Sequence, residues 1–311
     1  MEEIIYLIVG LLILIFGGDF LVKGAVALAV RMKVSMLVIG LTVVSFATSA
    51  PEMIVSVYAA LSGHPDMAIG NVIGSNIANI SLVLGLTAII FPLSFKQRLY
   101  KFDVPVMLIV TALFIIFLHT DSSLVRWEGM IFIALLIIFT TYLIARSRKE
   151  EKFSETTIEN QLSIVKLLSF LILGSVCLYI GSRLLVDNAS ILASNLGVTD
   201  RIISVSIVAF GTSVPELAAS IIAAYKKEKE MSLGNLIGSN IFNILAVLGV
   251  TSIIHPIHVV ESGLLSNDIW WMAAVSLILF PLMFLFHKGH IGKTEGCILL
   301  FIYVCCIYLL F

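Results

Sequence analysis

Residues 40–90 and 204–254 align without a gap at an offset of 164, and 25 of the 51 positions are identical. The first copy carries SFATSAPEMIVS and then GNVIGSNIANISLVLG; the second carries AFGTSVPELAAS and then GNLIGSNIFNILAVLG. The identities fall on Thr, Ser, Pro, Glu, Gly and Asn as well as on aliphatics. Shared greasiness cannot produce that, so the chain is built from one unit used twice. The copies lie in apolar runs long enough for helices that cross hydrocarbon, which takes roughly 20 residues. The chain is 59% hydrophobic and 13% charged, with a mean hydropathy of +1.09. A soluble domain carries about a quarter charged residues, and too little polar sequence remains here to cover a soluble surface. The expectation is an all-α membrane protein.

The apolar runs predict ten helices, at 4–27, 35–62, 69–91, 103–119, 124–145, 163–187, 199–224, 233–254, 267–287 and 294–311. The longest polar connection divides them into an N-terminal five-helix repeat (1–150), a linker (151–162) and a C-terminal five-helix repeat (163–311). Lysine and arginine set the orientation. With the N-terminus outside, inner loops and their edges hold fifteen: Arg31, Lys33, Lys96, Arg98, Lys101, Arg146, Arg148, Lys149, Lys152, Lys166, Lys226, Lys227, Lys229, Lys288 and Lys293. The outer loops hold two, Arg126 and Arg201. That bias predicts both termini outside, a cytoplasmic linker and residence in the plasma (inner) membrane. Met1-Glu2-Glu3 lacks the basic start of a cleaved signal, which predicts a retained first helix. Cys177, Cys297, Cys305 and Cys306 lie in apolar runs without a CxxC pair and read as small buried hydrophobes.

Five helices separate the repeat copies. Five is odd, so the copies must run in opposite directions through the bilayer. Inverted repeats of this kind are a common plan of secondary transporters, with the substrate site near the midplane. Glu52 and Glu216 sit mid-helix in the two copies. An ionisable group there costs at least about 2.5 kcal/mol, so it needs a partner. No Lys or Arg occurs at that depth in helices two, three, seven or eight, and a mobile cation is the partner the pattern predicts. Thr48 and Ser49 precede Glu52 by four and three residues and share its helical face; Thr212 and Ser213 do the same for Glu216. Ser75 with Asn79, and Ser239 with Asn243, repeat a spacing of four. Carboxylates, carboxamides and hydroxyls suit hard cations such as Na⁺ and Ca²⁺. No His or Cys enters either motif, which disfavours zinc or copper. Pro51 and Pro215 should free carbonyls near Ala47 and Gly211. Gly70/Gly74 and Gly234/Gly238 should let backbones approach closely. Asp19 with Lys23, and Arg183 with Asp187, are expected as local pairs or snorkelling side chains.

The segments GTSVPE and GNLIGSNIFN, echoed by ATSAPE and GNVIGSNIAN, resemble the alpha-repeats of the cation/calcium exchanger superfamily, in particular its prokaryotic sodium/calcium exchanger branch. The resemblance covers nearly the whole chain. It implies that Glu52 and Glu216 are acidic ligands shared by calcium and sodium. It places Thr48, Ser49, Ser75, Thr212, Ser213 and Ser239 at sodium-lining hydroxyl positions, and Asn79 and Asn243 at amide or acid positions. It also implies backbone carbonyl ligands at Ser45 and Ala209. Asn243 is a departure, since some relatives carry Asp there; it leaves two site carboxylates and weakens the case for potassium. Two carboxylates balance one Ca²⁺ or two Na⁺, and the third Na⁺ that the resemblance suggests would make exchange electrogenic.

The function expected is alternating-access antiport of Na⁺ for Ca²⁺ by a monomer in the lipid bilayer, with helices one and six sliding against the rest as the resemblance implies. No cofactor, enzymatic activity or nucleic acid is expected. The rival reading is a proton/calcium antiporter of the same superfamily. The repeated Thr-Ser pairs favour sodium, since protons need no hydroxyl cage. A passive channel lacks an oligomeric pore signature here, and no HExxH, GxGD or Gly-x-Ser-x-Gly motif supports an intramembrane enzyme.

Overall fold

Backbone polar groups cannot be left to hydrocarbon, so a chain this apolar must satisfy them within helices. The computed structural model describes residues 2–150, 162–195, 211–285 and 289–310, and it is helical almost throughout. The helices are α1 (Glu2–Met32), α2 (Met36–Ile39), α3 (Ser45–Leu61), α4 (Pro65–Ile77), α5 (Leu84–Ile90), α6 (Val104–Asp121) and α7 (Arg126–Glu150). They continue with α8 (Ile164–Asn195), α9 (Val214–Tyr225), α10 (Lys229–Phe242), α11 (Gly249–Ile254), α12 (Ile269–Leu285) and α13 (Lys293–Leu310). Among the described residues, eight helical stretches are long and apolar enough to cross a membrane, and Val214–Tyr225 is a shorter apolar helix. Linker residues 151–161, Ala209 and the 199–210 part of the seventh expected helix lie outside the described residues.

Several expected single helices are interrupted by π-helical turns. Gly40–Val44 joins α2 to α3, Ala78–Val83 joins α4 to α5, and Asn243–Leu248 joins α10 to α11. Leu99–Asp103 leads into α6 and Leu264–Asp268 leads into α12. A π turn inserts an extra residue and is often found at functional sites. Ala78–Val83 and Asn243–Leu248 fall at matching repeat positions, and they contain Asn79 and Asn243.

The repeat extends beyond the segments whose sequences align. Leu93–Ser94 (β1) pairs antiparallel with His290–Ile291 (β4), and Ser123–Leu124 (β2) pairs antiparallel with Ile257–His258 (β3). Glu128 accepts the Val125 N–H at 2.8 Å at the start of α7, and Glu295 accepts the Gly292 N–H at 2.9 Å at the start of α13. Each carboxylate satisfies a donor that the helix start leaves open. The ends of α3 and α9 also match. Gly63 N–H bonds Ala60 O and His64 N–H bonds Ala59 O; Lys227 N–H bonds Ala224 O and Glu228 N–H bonds Ala223 O. These are paired Schellman caps, which need a left-handed residue. Gly63 adopts φ 80° without cost, whereas Lys227 is held at φ 68°.

The chain divides into two compact units, Met1–Thr48 with Ile144–Asn235 and Ser49–Leu143 with Leu236–Phe311. Each draws on both sequence halves. In the first unit, α1 lies along α8 at backbone contact. A Cβ on Gly174 would stand 2.5 Å from Leu21 N, so only glycine fits. Such packing replaces the hydrophobic drive that is missing between helices in lipid. Gly234 makes the close approach expected of it, since its Cβ would meet Leu37 O at 2.5 Å. Gly70 and Gly74 do not. A Cβ on Gly70 would make only an ordinary contact at 3.7 Å, and Gly74 faces open space. In the second unit the core is built on Phe114, Phe132, Met107 and Leu118, all fully buried. Among the apolar side chains left exposed are Ile109, Ile138, Ile172 and Phe301, as expected of lipid-facing surfaces.

Replacing Lys227 by Gly should raise stability in detergent by about 1 kcal/mol, and Gly63→Ala should lower it by a similar amount. Chemical unfolding followed by helical circular dichroism measures both, and a stabilising Gly63→Ala would contradict the cap assignment.

Candidate cation site

The two Pro-Glu motifs begin as the same sequence but fold differently. Pro51 lies inside α3, which runs unbroken from Ser45 to Leu61. In the second copy, Thr212 and Ser213 form a turn and α9 starts at Val214. Of the helix expected at 199–224, the described residues show the Thr212–Ser213 turn and α9 after it. Pro215 occupies the first turn of α9, where a missing N–H costs nothing. Side chains explain the continuity of the first copy. Ser45 donates its hydroxyl to Gly40 O at 2.7 Å and to Asn235 O at 3.0 Å, and Thr48 donates to Ser45 O at 3.3 Å. Ala209, at the position of Ser45, carries no hydroxyl, and Gly211 replaces Ala47 with a poorer helix former. The Gly211 carbonyl is not left open as expected; it accepts the Ser182 hydroxyl at 2.8 Å.

In the first unit, Glu216 is fully buried in the opening turn of α9. An acid suits the partial positive charge of a helix start. The Thr48 hydroxyl stands beside its carboxylate. No Lys or Arg among the described residues forms an ion pair with it. Asn235 fastens the surroundings. Its Nδ2 donates to Ser220 Oγ at 3.0 Å and to Glu216 O at 3.5 Å, while its Oδ1 accepts from Thr48 Oγ1 at 3.2 Å. Ser213 is fully buried and its hydroxyl has no hydrogen-bond partner among the described residues. Thr212 is half-buried in the turn.

In the second unit, Glu52 is fully buried on α3. Asn71 repeats the role of Asn235, donating Nδ2 to Glu52 O at 3.2 Å and to Ser56 Oγ at 3.0 Å. Ser49 Oγ, both amide atoms of Asn79, and the Oδ1 atoms of Asn240 and Asn243 are buried without a hydrogen-bond partner among the described residues. Ser75 and Ser239 are buried on α4 and α10. Burying a polar group without compensation costs about 1–3 kcal/mol in proteins. Ser49, Asn79, Asn240 and Asn243 share the repeated segments with a buried acid, which makes them candidate ligands.

Sequence reasoning passed over Asn71, Asn76, Asn235, Asn240, Ser56 and Ser220. The signal was present: the two copies share each of these polar residues. The repeat is not symmetric in exposure. Gly74 is exposed and Asn71 half-buried, whereas Gly238 and Asn235 are buried. Outside the motifs, Asp19 pairs with Lys23 at 2.6 Å, as expected, and also with Lys226. Arg183 turns to the Tyr179 hydroxyl at 3.5 Å and forms no ion pair with Asp187 among the described residues.

Asn235→Ala should destabilise the protein by about 2 kcal/mol, since it removes buried side-chain bonds to the Ser220 and Thr48 hydroxyls. Asn71→Ala should cost less, because solvent reaches the half-buried Asn71. Thermal unfolding in detergent ranks them, and the reverse order would refute the account.

The chain is similar to known proteins over nearly its full length. It is 36% identical over 304 residues to an uncharacterized membrane protein of Methanocaldococcus jannaschii, covering 96% of this chain and 95% of that protein. It is 31% identical over 345 residues to the sodium/calcium exchanger MaX1 of Methanosarcina acetivorans, covering 98% and 97%. Among solved structures, it matches the sodium-calcium exchanger NCX_Mj soaked with 10 mM Na⁺ and zero Ca²⁺. The TM-score is 0.83 at 33% identity, with 98% of each chain covered. Residues 3–145 and 166–311 match the family described as sodium/calcium exchanger protein, and this chain belongs to that family of membrane antiporters.

Proposed function

We propose that this protein exchanges Na⁺ for Ca²⁺ by alternating access, with Glu52 and Glu216 as its acidic cation ligands. The observation that carries the proposal is chemical. Each fully buried carboxylate lies in a repeated segment that also buries amide and hydroxyl oxygens, several of which have no hydrogen-bond partner among the described residues. Such oxygens suit hard cations. Thr48, Ser49, Ser75, Thr212, Ser213 and Ser239 supply hydroxyls, Asn79 and Asn243 supply amides, and the carbonyls of Ser45 and Ala209 add backbone oxygen. The turn at Thr212–Ser213 and the π turns at Asn79 and Asn243 support the reading, since transporters bind ions where helices are interrupted.

The protein works as a monomer with ten membrane helices. Five-helix repeats at 1–150 and 163–311 run in opposite directions through the plasma membrane, and residues 151–162 link them in the cytoplasm. The distribution of Lys and Arg supports termini on the outside. Unequal exposure at matching positions, Gly74 exposed and Gly238 buried, supports alternation. Two arrangements of one repeat pair would open one side at a time. Two carboxylates neutralise one Ca²⁺ or two Na⁺. A third Na⁺ carries net charge, so exchange is electrogenic.

In proteoliposomes, an outward Na⁺ gradient should drive ⁴⁵Ca²⁺ uptake and a pH gradient alone should not. Uptake driven by protons and not by sodium would replace this reading with a proton/calcium antiporter. Glu52→Gln and Glu216→Gln should each abolish calcium flux while the protein stays monodisperse, and near-normal flux in either would reject the ligand assignment. An inside-negative potential should change the rate of exchange; currents indifferent to voltage would exclude net charge movement.

A further inference from the structure

Three asparagines of the second unit form a chain of amide contacts whose direction is fixed by chemistry. Asn76 Nδ2 lies 3.3 Å from the backbone oxygen of Asn240 and 3.7 Å from Met272 Sδ. A carbonyl oxygen and a thioether sulfur only accept, so the atom of Asn76 that faces them must be its NH₂. Asn76 therefore turns its Oδ1 the other way, where Asn243 Nδ2 meets it at 3.0 Å. That oxygen only accepts, so Asn243 must in turn present its NH₂ to it. What remains of the Asn243 amide is Oδ1, buried and without a hydrogen-bond partner among the described residues. Asn76, Asn240 and Asn243 are all essentially inaccessible to solvent, so water does not compete for these contacts. Asn79, which matches Asn243 in the other repeat copy, has no hydrogen-bond partner for either amide atom among the described residues. The chain of contacts thus fixes the direction of the Asn243 amide.

We propose that Asn76 is a positioning residue that locks the Asn243 side chain with its carbonyl oxygen, and not its NH₂, presented to the transported cation. This rests on the reading of Asn243 as a cation ligand. An amide has one end that attracts a cation and one end that repels it. Without an anchor, Asn243 divides its time between the two. A carboxylate at the same place has two equivalent oxygens and needs no such orientation. The anchor therefore matters because this chain carries Asn at position 243.

The test is the apparent KM for Ca²⁺ in sodium-driven uptake by the full-length protein in proteoliposomes. Asn76→Ala and the volume-preserving Asn76→Leu remove the anchoring oxygen, and size-exclusion chromatography checks that each remains folded. Loss of an orienting partner typically weakens a metal site about 10–100-fold, so KM should rise about tenfold or more, with the maximal rate changed far less. In an Asn243→Asp background the same Asn76 substitutions should leave KM unraised, because there is no amide left to orient. An equal rise in both backgrounds would mean that Asn76 only supports the fold, and no rise in the natural background would likewise overturn the proposal. Asn243→Ala separates the two levels. An unchanged KM there would reject Asn243 as a ligand, whereas a raised KM with equal Asn76 effects in both backgrounds would reject only the positioning role.

Discussion

Polar atoms placed at membrane depth have no water to fall back on, and this structure is organised around that constraint. In both repeat copies an asparagine closes over the backbone of the Pro-Glu turn. Asn71 holds the Glu52 carbonyl and Asn235 holds the Glu216 carbonyl, and each also holds a serine hydroxyl one turn further on. Proline deprives the helical ladder of a donor at this point. The asparagines bind the weakened turn to the neighbouring helix, so the acidic side chains are carried on a fixed backbone. A site that must select a cation by oxygen geometry depends on that fixity.

The groups left unsatisfied are as informative as those that are bonded. Ser49, Asn79, Ser213 and one oxygen of Asn243 are buried with unmet hydrogen-bonding capacity among the described residues, and they cluster in the repeated motifs. Other buried hydroxyls bond local carbonyls, as Thr87, Thr111 and Ser252 do within their own helices, although Ser232 and Thr251 have no partner among the described residues. The contrast distinguishes hydroxyls bonded within a helix from buried ones without a partner among the described residues. It agrees with membership of an exchanger family and gives that membership a physical content in this chain's own residues.

Small residues set how closely the helices approach. Gly174 against Leu21, and Gly234 against Leu37, bring backbones together where any side chain would collide. Lipid tails are as apolar as leucine, so association here depends on close van der Waals contact and on polar bridges. The Gly70/Gly74 pair follows the same spacing yet meets little or nothing. A GxxxG pattern shows where close contact is possible, while the partner surface decides whether it happens.

The amino-acid sequence alone determined the membrane-spanning character, most helix positions and the repeated Glu, Asn, Ser and Thr positions, because hydropathy and repetition are local properties of the chain. Family membership was legible for the same reason, in GTSVPE and GNLIGSNIFN. Other features waited on tertiary structure. That α9 starts only at Val214 while α3 passes through Pro51 depends on the hydroxyls of Ser45 and Thr48, whose partners include Asn235 from a distant segment. That Asn71 and Asn235 serve as braces, while Asn79 and Asn243 keep open oxygens, cannot be read from four asparagines in one repeated motif. An amide acquires a direction only from the atoms that face it, and folding alone brings Asn240, Met272 and Asn76 together to decide which end of Asn243 is bonded.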